Sequence, residues 1–237
     1  MLSKEMPYVK FILPTAPTQK VTMNMGMAMP SWYDIVGLDE RSNENCKGIE
    51  ESRQKLVDIL DKEHETTGLA YNRMVLAGFS QGGALSLYTG LQMKEKLGAI
   101  VLMSGYLPAA SKLAITPGVE DVPIMHCHGT QDMLVQAAMA EKSKMVAEAK
   151  GATDYTYKTY SIAHTVSMDE IADVREFLKS KLPPDDSCRI TLKDPSQMSV
   201  KELKAVIRKA GLSQKAVGFM EKSEFVQLVS NYRDGKL

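Results

Sequence analysis

Short apolar runs of β type alternate along the chain with longer segments in which apolar residues recur at helical spacing. The β-type runs are "YVKFIL" (8–13), "RMVLAG" (73–78), "AIVLMSG" (99–105), "VPIMHCHG" (122–129) and "DYTYKTY" (154–160). This alternation predicts an α/β fold with a mostly parallel sheet and helices on both of its faces. Ligands of such sheets bind at the carboxyl ends of the strands.

Two of the intervening segments show an apolar helical face. Within residues 49–60 the face consists of Ile49, Leu56, Ile59 and Leu60. Within residues 135–149 a less regular face consists of Ala138, Met145 and Val146. Both sets predict helices that pack one side against the sheet.

Composition and charge narrow the class of protein. The chain has 237 residues, 44% of them hydrophobic, which is enough for one large globular domain with a small addition. Its 29 basic and 29 acidic residues give no net charge, so the molecule as a whole does not favour a polyanionic partner. The apolar run near the start is short and interrupted by Pro14, which fits neither a signal peptide nor a membrane span.

Cysteine usage bears on the cellular compartment. Cys46, Cys127 and Cys188 are odd in number and widely spaced, which favours thiols in the reducing cytoplasm over a disulfide framework. Cys127 lies between two histidines in "HCH", but a second ligand pair at zinc-site spacing is missing. We therefore interpret Cys127 as a buried thiol at a strand end, and we expect no metal site.

The stretch "AGFSQGG" (77–83) predicts a nucleophile elbow. Ser80 would sit on a sharp turn between the strand "RMVLA" and the helix "ALSLYTGLQMKEKL", with Gly78 and Gly82 removing side chains that would obstruct the turn. The amino end of that helix favours negative charge developing nearby. The alternative is a chance occurrence of G-x-S-x-G, which the preceding strand and following helix disfavour.

A nucleophilic serine needs a base and an acid that orients the base. Among the four histidines, His64 precedes the serine in a charged helical stretch, and His126 and His128 lie at a strand end. His164 follows the last β-type run in the short loop "SIAHTV", so we predict that it is the base. Asp132 in "HGTQDMLV" is the predicted acid. Its alternative role is to cap the following helix, and both roles are compatible.

These stretches resemble the acyl-protein thioesterase family, also described as lysophospholipase/carboxylesterase proteins, within the α/β-hydrolase superfamily. The resemblance runs from about residue 8 to about residue 184. It is carried by "KFILPTAP" (10–17), "VTMNMGMAMPSWYDI" (21–35), "GFSQGGALSLYTG" (78–90), "PIMHCHGTQDMLV" (123–135) and "YKTYSIAHTVS" (157–167).

The resemblance implies a serine hydrolase acting on S-acylated proteins, which amounts to depalmitoylation, and on related lipid or carboxylic esters. It implies Ser80 as nucleophile, Asp132 as acid, His164 as base and no metal or organic cofactor. It also implies that this sequence lacks the usual first strand and its oxyanion loop, so that the N–H of Gln81 is the remaining oxyanion donor; we favour an incomplete sequence over a variant with weakened catalysis. The alternative is a catalytically weakened or inactive binding protein.

The methionine-rich stretch "MNMGMAMPSW" alternates apolar residues. In an extended segment Met23, Met25, Met27 and Met29 would project to one side and form a flexible apolar surface suited to an acyl chain. The resemblance places this stretch near the active site, where Met29 and Trp32 are expected to line the acyl pocket. The alternative is that the methionines fill gaps in the core.

The chain continues beyond the hydrolase-like residues 1–184. We predict a linker over 185–198 and a small helical module over 199–237. Its first helix is indicated by a Ser199–Glu202 capping box and a stripe that stops at Gly211. The stripe consists of Val200, Leu203, Val206, Ile207 and Ala210, and the face of the second helix consists of Phe225, Leu228, Val229 and Tyr232.

About forty residues of this module resemble SAP-like helical modules, including the variant in the carboxyl half of the mesencephalic astrocyte-derived neurotrophic factor family. Some such modules bind DNA. From residue 199 onward the sequence contains eight Lys and Arg residues and four Asp and Glu residues, which is a small excess of positive charge. We therefore favour a solvated basic face on a docking module over nucleic-acid binding.

Overall fold

The computed structural model describes residues 5–38, 44–188, 193–234 and 236. The chain divides into two compact units, Met1–Asp185 and Asp186–Leu237. The larger unit carries all of the residues expected to take part in chemistry. Part of the predicted linker, residues 189–192, lies outside the described residues.

A four-stranded parallel sheet forms the centre of the larger unit. Its strands are β3 (Val75–Phe79), β4 (Ala99–Met103), β5 (Ile124–Gly129) and β6 (Tyr155–Tyr160), and they are ordered as in the sequence. Each neighbouring pair is parallel. β4 and β5 are almost wholly buried, as expected for strands covered on both faces.

Helices cover both faces of this sheet, as the α/β-hydrolase prediction requires. The helices are α1 (Ile49–Thr67), α2 (Gln81–Gly90), α3 (Ala137–Ala149) and α4 (Met168–Lys181). Alternate residues of β4 enter different clusters: Ile100 packs with residues of α1 and α2, whereas Val101 packs with Val174 and Leu178 of α4. The alternation of strands and helices predicted from the sequence is therefore confirmed.

The prediction of a strand over residues 8–13 is wrong. This segment contains no strand: it starts in a turn and continues as loop, and most of its apolar side chains are exposed, with Leu13 89% exposed, whereas Val9 packs against the core. An apolar run becomes a strand only where a neighbouring strand pairs with its backbone, and among the described residues none does so here. Residues 8–13 therefore show how propensity alone misassigns a strand.

The methionine-rich stretch forms an antiparallel hairpin that the sequence analysis did not predict. Its strands are β1 (Thr18–Val21) and β2 (Met27–Pro30), with Thr18 opposite Pro30. The four alternating methionines do not share one extended segment, because Met25 adopts a left-handed conformation with φ 56° in the connection. All four are exposed, which contradicts the alternative that they fill the core.

The face predicted for α3 is wrong in part. Met145 is 69% exposed, whereas the buried positions of the helix are Ala140, Ser143 and Ala147. The buried side of this helix is thus made of small residues, which hydrophobicity alone does not reveal.

The smaller unit contains α5 (Val200–Lys209) and α6 (Lys222–Arg233). The predicted capping box is present, with Glu202 N–H donating to Ser199 Oγ and Ser199 N–H donating to Glu202. The buried cluster holds Met198, Leu203, Ile207, Phe225, Leu228 and Val229. The predicted apolar face of the second helix includes Tyr232, but this side chain is 45% exposed, because it lies in the last turn beyond that cluster.

Within the described ranges, none of the helices combines the length and apolar character needed to cross a bilayer. The same part of the chain holds no cluster of three or more histidine, cysteine or acidic side chains arranged for a metal ion.

Candidate active site

The elbow around Ser80 joins β3 directly to α2. Ser80 has φ 52° and ψ −120°, a conformation that non-glycine residues rarely adopt. The turn is held on both sides, because Ser80 N–H donates to the Met103 carbonyl at 2.8 Å and the Ser80 carbonyl accepts from Ala84 N–H at 3.0 Å. Strain of this kind is characteristic of functional sites.

Two glycines permit the elbow through close approach of backbone. A Cβ on Gly78 would lie 2.3 Å from the carbonyl carbon of Gly82. A Cβ on Gly83 would lie 2.8 Å from the Gly78 oxygen. A Cβ on Gly82 would meet nothing within 4 Å, so the expectation that Gly82 removes an obstruction is wrong. The glycine that matters on the helix side is Gly83.

The structure brings Ser80, His164 and Asp132 together in one hydrogen-bonded chain. His164 Nε2 lies 3.0 Å from Ser80 Oγ, and His164 Nδ1 lies 2.7 Å from Asp132 Oδ2. The imidazole is partly exposed, with 18% of its side chain accessible, whereas the Asp132 side chain is fully buried. This is the arrangement of a nucleophile, a base and an orienting carboxylate.

Backbone groups fix the buried carboxylate. Asp132 Oδ1 accepts hydrogen bonds from Leu134 N–H at 2.9 Å and from Val135 N–H at 2.8 Å. The second oxygen, Oδ2, is thereby directed at the imidazole. A buried charge is tolerated only when its hydrogen-bonding capacity is used, and here both oxygens have partners.

His128 supports the same loop and was not identified as a site residue from the sequence. Its Nε2–H donates to the Val135 carbonyl at 2.7 Å and lies 3.7 Å from Asp132 Oδ2. Burial lowers the pKa of His128, which favours a neutral ring. The available signal was its spacing in "HGTQD", four residues before the acid.

The loop that carries His164 is placed by backbone contact with the end of β5. A Cβ on Gly129 would lie 2.3 Å from the Ile162 oxygen, so only glycine permits this approach. Gln131 N–H also donates to Ile162 O at 3.0 Å. On its other side the imidazole packs against the Phe79 ring at 4.9 Å between centroids.

Of the other predicted residues, the structure places Gln81 and Trp32 at the elbow. Gln81 is the first residue of α2, where a backbone N–H has no acceptor within the helix. Its side-chain Oε1 accepts from Trp32 N–H at 2.9 Å, which places Trp32 beside the elbow. Met29 lies on β2, opposite Gln19, and its side chain is 37% exposed. His64 is exposed on α1, stacked on Tyr71, and takes no part in the site.

Comparison with known proteins shows the family to which the chain belongs. Residues 1–182 match the family described as Phospholipase/Carboxylesterase. Acyl-protein thioesterase 1 homolog 1 of Dictyostelium discoideum is 35% identical over 182 residues, covering 76% of this chain and 80% of that protein. Acyl-protein thioesterase 1 of Gibberella zeae is 38% identical over 193 residues, with the same two coverages of 76% and 80%.

Solved structures show the same fold. The crystal structure of SOBER1 from Arabidopsis thaliana matches with a TM-score of 0.66 at 26% identity, over 76% of this chain and 87% of that one. Acyl-protein thioesterase 2 of Zea mays matches with a TM-score of 0.64 at 24% identity and the same coverages. The family resemblance inferred from the sequence motifs is confirmed, and the chain belongs to the phospholipase/carboxylesterase family of α/β-hydrolases.

Proposed function

We propose that this chain is a serine hydrolase that cleaves the thioesters of S-acylated proteins and related lipid or carboxylic esters. The observation that carries the proposal is the Ser80–His164–Asp132 chain, with its 3.0 Å and 2.7 Å contacts at the carboxyl ends of three strands. The names of its relatives support the substrate class, because several are acyl-protein thioesterases.

In the first half of the reaction His164 Nε2 removes the hydroxyl proton of Ser80 as Oγ attacks the acyl carbonyl. Asp132 accepts the Nδ1–H of His164 throughout, fixing the tautomer and stabilising the imidazolium that forms. The backbone N–H of Gln81 donates a hydrogen bond to the tetrahedral oxyanion. When the carbon–sulfur bond breaks, the imidazolium returns its proton to the leaving thiolate, and Ser80 carries the acyl group.

In the second half a water molecule takes the place of the thiol. His164 removes a proton from this water as its oxygen attacks the acyl-serine, and the same N–H stabilises the second oxyanion. Collapse of this intermediate expels Ser80 Oγ, which recovers its proton from His164. The products are a fatty acid and the free thiol, and every proton transfer uses a side chain of the site.

The acyl chain requires apolar surface next to the serine. Met29 and Trp32 are the proposed contacts, supported by the hydrogen bond that ties Trp32 to Gln81 and by the exposure of Met29. The proposed compartment is the cytoplasm, which is supported by three cysteines that form no disulfide. The alternative of an inactive binding protein gains no support from a site in which all three side chains are in hydrogen-bonding contact.

The test is covalent labelling followed by turnover. The protein should react with a fluorophosphonate probe and hydrolyse an S-acylated peptide, and Ser80→Ala should abolish both activities. The matched control is His64→Ala, because His64 lies on the outer surface of α1 and contacts none of the three residues. Equal labelling of the two variants, or labelling that persists in Ser80→Ala, would refute the assignment of the nucleophile.

A further inference from the structure

The side chain of Gln81 joins the elbow to the segment Ser31–Tyr33 by three strong hydrogen bonds. Its Nε2 donates to the Tyr33 carbonyl and to Ser31 Oγ, both at 2.9 Å. Its Oε1 accepts from Trp32 N–H, also at 2.9 Å. The amide therefore uses its donor and acceptor ends on a segment about fifty positions earlier in the chain.

The same segment is anchored from its other sides. Ser52 Oγ on α1 donates to the Trp32 carbonyl, and the buried Tyr33 hydroxyl pairs with Tyr106 at 3.0 Å. Ser31 is itself buried and donates its hydroxyl proton to the Tyr33 carbonyl at 2.7 Å. The Gln81 side chain makes the hydrogen bonds between this segment and the elbow. Truncating it should leave the segment attached to the rest of the fold, but its position relative to Ser80 would no longer be fixed.

The position of this segment gives the contact a consequence for substrate. The reacting carbonyl must lie within hydrogen-bond distance of Ser80 Oγ and of the Gln81 N–H. Trp32, whose N–H bonds the Gln81 side chain, is half-buried, and the chain immediately before it forms β2, on which Met29 and Met27 are exposed. A long acyl group that follows the chain from Trp32 toward Met29 would contact these side chains, whereas a short one would not reach them.

We propose that the Gln81 side chain is a positioning residue that sets selectivity for long over short acyl chains, separately from the backbone N–H of the same residue. The inference rests on the proposed function, because it concerns the acyl group of that reaction. The amide holds Trp32 and the adjoining methionines of β2, which together we call the Trp32 wall, in place before substrate arrives. Binding of a long acyl chain then requires no ordering of this surface. The smaller free-energy cost of binding lowers KM for the long-chain substrate.

The experiment compares acetyl and octanoyl thioesters of one thiol in the parent, Gln81→Ala, Gln81→Glu and Ser31→Ala proteins. The Gln81 variants retain the backbone N–H. Gln81→Glu retains the acceptor for Trp32 N–H but loses the donor to Tyr33, so it should recover part of the selectivity. Active sites are titrated with a fluorophosphonate, which removes any effect of partial unfolding from kcat.

The expected readout is the ratio of kcat/KM for octanoyl over acetyl substrate. In Gln81→Ala this ratio should fall about tenfold, chiefly through KM for the octanoyl substrate. Ser31→Ala should lower the ratio in the same direction by less. The matched control is Gln92→Ala. The Gln92 side chain donates to the Tyr88 carbonyl at 2.8 Å, at the far end of α2 from the elbow, so its loss should leave the ratio unchanged.

The possible failures are distinguishable. An equal fall for both substrates in kcat would overturn the inference and assign the side chain to the chemical step. An unchanged ratio in Gln81→Ala, with parent activity intact, would show that the wall is held without the amide. A parent protein inactive toward both thioesters and unlabelled by the probe would refute the proposed function itself.

Discussion

Adding one methyl group at Gly78 should damage the elbow far more than adding one at Gly82. In Gly78→Ala the new Cβ would lie 2.3 Å from Gly82 C and 2.5 Å from Gly83 N. Both are backbone atoms of the first turn of α2 and have no rotamer that would relieve the contact. Non-bonded carbon atoms pack at roughly 3.5 Å or more, so the strand and the helix must separate by about 1 Å.

The magnitude follows from the packing of this junction. Overpacking costs about 1–3 kcal/mol, and the upper end applies here because the contacts are with backbone. Gly82→Ala has open space around the new atom, and Gly82 does not have a positive φ. A Gly-to-Ala change in a helix gains roughly 0.5–1 kcal/mol, so this variant should be as stable as the parent or more so.

The single tryptophan makes the measurement specific. Trp32 is the only one in the chain and belongs to the larger unit, so its fluorescence reports the unfolding of that unit and not of the tail. For a unit of this size each kcal/mol shifts Tm by about 2–4 °C, which predicts a fall of roughly 6–12 °C in Gly78→Ala. Fluorophosphonate labelling of Gly78→Ala should fall as well, because Ser80 Oγ moves relative to His164.

Two results would refute this reasoning. If Gly82→Ala destabilised the protein as much as Gly78→Ala, the need for glycine at these positions would not come from the close backbone contact at Gly78. If both variants melted with the parent, the junction would be loose enough to absorb a methyl group.

Two further predictions concern pH and the tail. Burial lowers the pKa of His126 from 6.5 to about 3, so the folded state resists protonation that the unfolded chain accepts. The contribution of His126 to the free energy of unfolding is therefore complete above pH 6.5 and falls as the pH is lowered, by about 2 kcal/mol at pH 5, which urea unfolding measures. His126→Phe should flatten this slope, and an unchanged slope would contradict the assignment. Deleting residues 190–237 should change kcat/KM for a small thioester by less than about threefold, since the tail holds none of the proposed catalytic residues. Titration of the tail with duplex DNA at two salt concentrations tests the nucleic-acid alternative, and salt-sensitive binding would contradict our preference for docking.

The sheet and the three proposed catalytic residues were accessible from the sequence because each depends on a strong local rule. β4 and β5 are buried on both faces and therefore appear as continuous apolar runs. Asp132 and His164 each follow a strand of a parallel sheet, and the carboxyl ends of such strands lie at one edge. The order serine, acid, histidine then identified them without knowledge of their distances.

The remaining features depend on contacts between segments distant in sequence. The strand assigned to residues 8–13 required a pairing partner, and the hairpin required the left-handed conformation of Met25. The importance of Gly83 arises from its approach to Gly78 and to Leu102 on the neighbouring strand. None of these contacts leaves a periodic pattern, so spacing in the sequence does not reveal them.

Backbone groups hold the proposed acid and the loop of the proposed base in place. Asp132 is oriented by the N–H groups of Leu134 and Val135, and the His164 loop is seated on Gly129. Backbone donors have no rotamers, so a carboxylate held by them loses little entropy on binding and keeps its direction as charge develops on the imidazole. The His164 imidazole and the Ser80 hydroxyl, which are 3.0 Å apart, are the two groups that exchange a proton in the proposed reaction. We expect a site built this way to tolerate changes in the surrounding side chains more readily than a methyl group on Gly78 or Gly129, where a Cβ would lie 2.3 Å from backbone.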